Sequence, residues 1–420
     1  MKRLFVLALA ALLHLPLLAQ EDYNRSSLYI IPLLHPGTGM YEEIYNTAIH
    51  LEIPDRYNDH SLSMRMLADN VSNPKPKDQI ERLKTFLDKN QIAKRMVARW
   101  FCRDKQTGTF SMDLVAERGL YNASAEEIRT AMQTVRGKAL LADAGEQLIG
   151  QTFVIFNDIT YYDKESKAQT VLGVFQIVAA TAELVGGVAG TVGGSGGEMA
   201  SGIANLTKSF SDLGGLVSDQ IAGFMVDVHS YLFQLEWDDE TAAKFYSEYW
   251  CDANNPDPAR KAAFEADKTT FKMKYIGDYS ARSSKTVMRG LYTPQDVFNK
   301  VMTRAADENI VQLQKKFPVF KVTAPLTDVE NGIVKAHIGL KEGVNPKSKY
   351  EVLERRRAED GTISYERRAV LVPDKDRIWD NRCMAVEEMA DNAELGATSF
   401  RITSGNEASL YRGMLLREIR

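Results

Sequence analysis

The sequence predicts an α+β protein in two parts: a mixed helix/strand domain interrupted by a glycine-rich apolar insertion, then a small all-β domain, barrel-like or a sandwich. Three observations predict it. Amphipathic helical periods alternate with short strand-like runs up to about residue 315. Twelve of the 28 glycines fall between Gly173 and Gly223. From Phe317 onward, helical periods stop and short alternating runs recur at even spacing.

Residues 1–20, MKRLFVLALAALLHLPLLAQ, read as a signal peptide: Lys2 and Arg3, an apolar run from Leu4 to Leu18, then Leu17-Leu18-Ala19 before a mature start at Gln20 or Glu21. The run is short for a membrane span. The chain is thus expected to be exported. No cysteine follows the signal, which excludes a lipoprotein anchor. Formal charge is −4, and without Lys2 and Arg3 the acids exceed the bases by six. That balance does not suit nucleic acid. Cys102, Cys251 and Cys383 are too few and too scattered for a disulfide framework or a zinc site, so one pair or three free buried thiols are expected.

Within the first domain, residues 21–315, Tyr29 to Leu34 reads as a buried strand ended by His35-Pro36-Gly37. Ile80, Leu83, Phe86, Leu87, Ile92, Met96, Val97 and Trp100 mark one or two helices. Ser124 with Glu127 opens another by a capping box. Thr152 to Phe156 is a short strand, and Tyr231, Phe233, Leu235 and Trp237 share one face of a further one. Asp238 or Asp239 caps a short helix, Asp257-Pro258 starts the next, and Phe271, Met273 and Tyr275 alternate in a strand. Thr293-Pro294 opens a long helix carrying Val297, Phe298, Val301, Met302, Ile310 and Leu313. In the second domain, residues 316–420, strands are expected at Val319–Val322, Ile333–Ile338, Tyr350–Glu354, Phe400–Ile402 and Met414–Ile419, with a hairpin turn at Asp360-Gly361.

The insertion, 168–225, carries one charge, Glu183, between Ala168 and Gly197. Gly186, Gly190 and Gly194 stand four apart, and Gly197 follows Gly193 at the same step. On a helix they make a smooth stripe, a candidate membrane or oligomer contact. A packed helix followed by a glycine loop is the simpler reading. No phosphate-binding glycine motif is present.

Catalytic signals are sparse. Asp227 and His229 share one side of a strand, where a carboxylate can orient an imidazole. Paired strand residues with a satisfied histidine are the favoured reading over a catalytic dyad. No nucleophile elbow accompanies them, and no histidine spacing fits a metal. Cys102 follows Trp100-Phe101 and reads as a buried helix-end thiol beside Arg103. Arg355, Arg356, Arg357, Arg367 and Arg368 make a basic hairpin interleaved with Glu351, Glu354, Glu359 and Glu366. It reads as a ladder of cross-strand ion pairs, with a partner-binding face as the alternative. No cofactor and no metal are expected.

The signal, the Ala-Gln junction and Leu141-Ala142-Asp143-Ala144-Gly145-Glu146-Gln147-Leu148-Ile149-Gly150 before Thr152-Phe153-Val154-Ile155 resemble uncharacterised exported proteins of the Bacteroides group. Ile338-Gly339-Leu340-Lys341-Glu342-Gly343-Val344 before Tyr350-Glu351-Val352, then Asp360-Gly361, is similar to the C-terminal β domain of the flagellar assembly protein T family. That resemblance implies a periplasmic, protein-binding role. A helix followed by a Thr-Phe-Val strand also resembles envelope proteins of the curli-secretion type, without their lipoprotein cysteine. The expected function is a non-enzymatic structural or interaction role in a Gram-negative envelope, in the periplasm or at the outer membrane, with self-association or an envelope protein as partner. A membrane-inserting or pore-forming oligomer built on 168–225 is the second reading, and a glycan hydrolase using carboxylates the third.

Overall fold

The computed structural model describes residues 26–37, 41–54, 56–69, 75–119, 135–163, 221–288, 294–321, 323–357, 363–383, 385–386 and 390–419. The signal, the Ser124 capping box, Gly186, Gly190, Gly194, Gly197 and the Asp360-Gly361 turn lie outside them. The described residues mix helix and strand, with a curled antiparallel half-barrel sheet in the C-terminal region.

Among the described residues, the first sheet contains β1 (Ser26–Leu34), β2 (Tyr57–Asp59), β3 (Leu67–Ala68), β4 (Thr152–Asp163), β5 (Ile221–Leu235) and β6 (Met273–Met288). The order is β2-β1-β4-β5-β6, with β3 also on β1. β1 runs parallel to β2, β3 and β4. β4, β5 and β6 are antiparallel neighbours. β5 begins at Ile221, so the last residues of the expected insertion belong to a strand. Its connection to β4, residues 164–220, is the segment the glycines mark.

Helices cover both faces. α1 (Tyr41–Ala48), α2 (Pro76–Lys89), α3 (Ile92–Trp100), α4 (Asp113–Gly119) and α5 (Val135–Glu146) precede β4. α6 (Asp239–Lys244), a π turn (Phe245–Tyr249) and α7 (Pro258–Ala266) join β5 to β6, and α8 (Pro294–Lys316) follows. Leu83, Leu87, Met96, Val97 and Trp100 recur at helical spacing and bury one face with Tyr29, Ile31, Val154, Phe156, Tyr231 and Phe233. Phe298, Val301, Met302 and Ala305 of α8 bury the other with Leu34, Ile159, Val226 and Val228. β5 is therefore covered on both faces at Leu232 and Phe233 rather than half-buried there. Asp238 accepts from Thr241 N at 2.8 Å to cap α6. Asp257 caps α7 in the same way, with Pro258 in its first turn.

After α8, Val319 and Phe320 lie in a 3-10 turn, Pro318–Phe320, where a strand was expected. Pro318 removes a backbone donor that a strand would need, and the preset φ of its ring suits a turn. β7 (Ala324–Pro325), β8 (Asp328–Glu330), β9 (Ile333–Ala336), β10 (Tyr350–Arg357), β11 (Ile363–Pro373), β12 (Thr398–Gly405) and β13 (Leu415–Glu418) form the second sheet. Their order is β7-β13-β10-β11-β12-β9-β8, antiparallel throughout. Register shifts at Val352/Leu353 and Val370/Leu371 bend the strands around Val334, Val352, Leu371, Phe400 and Leu416. Arg56 beside β2 reaches Glu342 of this second unit at 2.9 Å.

Candidate functional site

One face of the first sheet changes from apolar to charged along a single line. On β5 that face reads Leu235, Phe233, Tyr231, His229, Asp227; on β4 it reads Val154, Phe156, Asp158, Thr160. The registers place Leu33, Asp158, His229 and Ser280 side by side, and Thr160, Asp227 and Arg282 in the row beyond. The opposite face lies under α8, where Ile159, Val226 and Val228 are apolar and Ser230 donates to Asn157 while accepting from Asn309.

Two histidine–aspartate pairs meet at this line. His35, just past β1, sets Nε2 against Asp158 Oδ1 at 2.7 Å and Nδ1 against the Asp69 carbonyl at 3.1 Å. With an oxygen facing each nitrogen, the ring is built to hold two protons. The Asp158 hydrogen bond accordingly raises its pKa, against the opposing effect of burial. His229 Nε2 meets Asp278 Oδ2 at 2.8 Å, and its ring stacks on Tyr231 with centroids 4.4 Å apart. Tyr275 donates its hydroxyl to Asp278 Oδ1 at 2.5 Å. Burial opposes ionisation of Asp278, yet the bonds from Tyr275 and His229 hold its carboxyl below the usual range. Burial pushes the Tyr231 and Tyr275 phenols well up, so both stay protonated donors.

Asp227 shares a face with His229 but does not orient it. Asp227 takes both Nε and Nη2 of Arg282, at 2.5 and 2.7 Å, while Asp278 orients His229. Asp227 stands directly opposite Arg282 on β6, where facing residues approach to about 5 Å. Asp278 faces Tyr231 and reaches His229 along the diagonal. Asp278 sits 49 residues from His229, and Asp158 sits 123 from His35. No local spacing signals either pair; only the strand registers do.

The basic hairpin is a ladder of ion pairs. Arg356 meets Glu354 at 3.1 Å and Glu366 at 3.0 Å, and Arg368 meets the same two acids at 2.5 and 2.9 Å. Arg367 approaches Glu351 at 3.9 Å, which Arg417 holds at 2.6 Å. Arg355 stands opposite Tyr365 in the ladder, and Arg357 opposite Ile363. The Arg368 hydrogen bond, ahead of the other contacts, keeps the Glu354 carboxyl low.

A cleft of about 480 Å³ lies between the two units, with Val319, Lys321, Glu351, Arg417, Glu418 and Ile419 among its walls. Burial raises the Glu418 carboxyl, while Glu351 is occupied by Arg417. All three thiols are free, and Cys102 is exposed rather than buried. Its φ of +43° breaks out of the helical path after α3, which turns the side chain away from the core.

Among the described residues, no group of three or more His, Cys, Asp or Glu side chains is arranged to hold a metal ion. No helix among them is long and apolar enough to cross a membrane. No protein-family model matches the chain, and no curated protein matches it. Chemically, the row offers fixed, alternating charges beside a long sheet edge.

Proposed function

We propose that this chain is an exported structural or interaction protein of a Gram-negative cell envelope, working by assembly with an envelope protein or with further copies of itself. One observation carries the assembly role: β6, sixteen residues long, is the outer strand of its sheet and pairs only with β5 among the described residues. Such an edge is a row of backbone donors and acceptors ready for another strand, and folded proteins ordinarily shorten or cover it. The opposite edge follows that habit, ending in the three residues of β2 and the two of β3. Residues 1–20 supply the export reading.

The test is expression in a Gram-negative host with export, followed by fractionation and N-terminal mass determination. A periplasmic or outer-membrane-associated chain starting at Gln20 or Glu21 is the expected result. A cytoplasmic chain that keeps Met1 contradicts it.

A second reading, membrane insertion or pore formation, is favoured by one feature. β4 and β5 continue as a pair past the last β1 partner, Leu33 opposite Asp158, out to Asp163 opposite Phe224. That ribbon leads into the low-charge glycine segment, including Gly186, Gly190, Gly194 and Gly197. Alkaline carbonate washing separates the readings. A membrane-resistant chain that becomes extractable on deleting 168–197 supports insertion; equal extraction of both removes it.

A further inference from the structure

We infer that two copies of this chain pair antiparallel through the outer edge of β6, about a two-fold axis at Ser280, so that their charged rows join. The inference deepens the assembly role proposed above and rests on it.

A second copy fits this edge by charge. Asp278 and Arg282 lie on the same face as Ser280 and two residues to either side of it, as their bonds to His229 and Asp227 show. An antiparallel pairing centred on Ser280 sets Asp278 of each copy opposite Arg282 of the other, twice over. Each half of the joined row then reads Asp227, Arg282, Asp278 of the second copy and His229 of the second copy, negative and basic groups in alternation. Centring on Tyr279 faces Asp278 with Ser280 and loses both pairs. Centring on Asp278 or Arg282 puts like charges together, which strand pairs disfavour. Head-to-tail growth lacks a template, because β2 and β3 at the other edge are too short. An isologous pair is what remains.

The inner end of the edge is guarded. Ile276 is an extra residue between Tyr275 and Gly277, which face Phe233 and Leu232, so the strand bulges there. Lys316 Nζ donates to the Asp278 carbonyl at 3.1 Å. Pairing about Ser280 displaces that one bond, which makes Lys316 a brake on association.

The test uses the mature full chain with Cys102→Ser. Facing residues of an antiparallel pair have Cα atoms about 4.5–5.5 Å apart, within disulfide range. Under mild oxidation Ser280→Cys is expected to form a covalent dimer, while Tyr279→Cys and Arg282→Cys are not. Lys316→Ala is expected to raise the dimer fraction and Arg282→Asp to lower it by at least tenfold in association constant. Equal linking at all three positions overturns the register. Association that persists with no link at Ser280 overturns this surface while leaving the interaction role standing. A monomer at every concentration, with no link, overturns the inference outright.

Discussion

Gly119 and Gly145 let α4 and α5 touch backbone to backbone: a Cβ on Gly119 would overlap the Leu141 carbonyl, and one on Gly145 the Val115 carbonyl. Each glycine is thus required by the other helix's main chain, where nothing can move aside cheaply. Gly145→Ala is expected to destabilise the fold by ~3 kcal/mol, measured as a lower urea midpoint at unchanged slope. A midpoint equal to wild type would show that the helices separate freely.

Glu342 ties the two units together. Its Oε1 accepts from Arg56 at 2.9 Å, and its Oε2 from Gly339 N at 2.7 Å and from Asn381 Nδ2 at 2.6 Å. Glu342→Ala strands a mostly buried guanidinium and is expected to cost ~3 kcal/mol, read by chemical denaturation. A loss below ~1 kcal/mol would mean that the pair behaves as a solvated surface contact.

Asp307 of α8 lies at the same junction, and burial pushes its carboxyl up to about 6, against the pull of Lys341, Arg56 and Arg304. A carboxyl raised in the folded state contributes stability that is full below its unfolded pKa, near 3.8. That contribution is lost as pH climbs through about 6. Wild-type Tm is therefore expected to fall between pH 4 and 6.5 relative to Asp307→Asn. Parallel Tm curves for the two proteins would refute this assignment.

His35 has the same sign for a different reason. Its bond to Asp158 raises the imidazole pKa, so its contribution is complete below the unfolded value and lost as pH rises through the raised folded one. A carbon-bound proton titration by NMR should find His35 titrating above an unperturbed histidine. Titration at or below that reference would contradict the doubly donating ring.

How much of this was legible in the sequence depends on range. The stripes on α2, α3 and α8 and the caps at Asp238 and Asp257 could be read because helices are written in local spacing. The shared face of Tyr231, Phe233 and Leu235 was legible for the same reason. The 3-10 turn at Pro318–Phe320 was missed because Val319 and Phe320 look like strand residues when Pro318 is given no weight. At the site, local spacing shows that Asp227 shares a face with His229, but not which carboxylate satisfies the ring. Its real partner, Asp278, depends on the β5–β6 register and on the bulge at Ile276, neither of which has a local mark. The pairing of β1 with β4 that brings Asp158 to His35 spans more than a hundred residues and was equally silent.

The most direct measurement is sedimentation velocity of the mature, exported chain across a concentration series, alongside Arg282→Asp. Assembly through the β6 edge predicts a species that grows with concentration in the wild type and weakens sharply in the variant. A wild type that sediments as one monomeric species throughout, indistinguishable from Arg282→Asp, would contradict it.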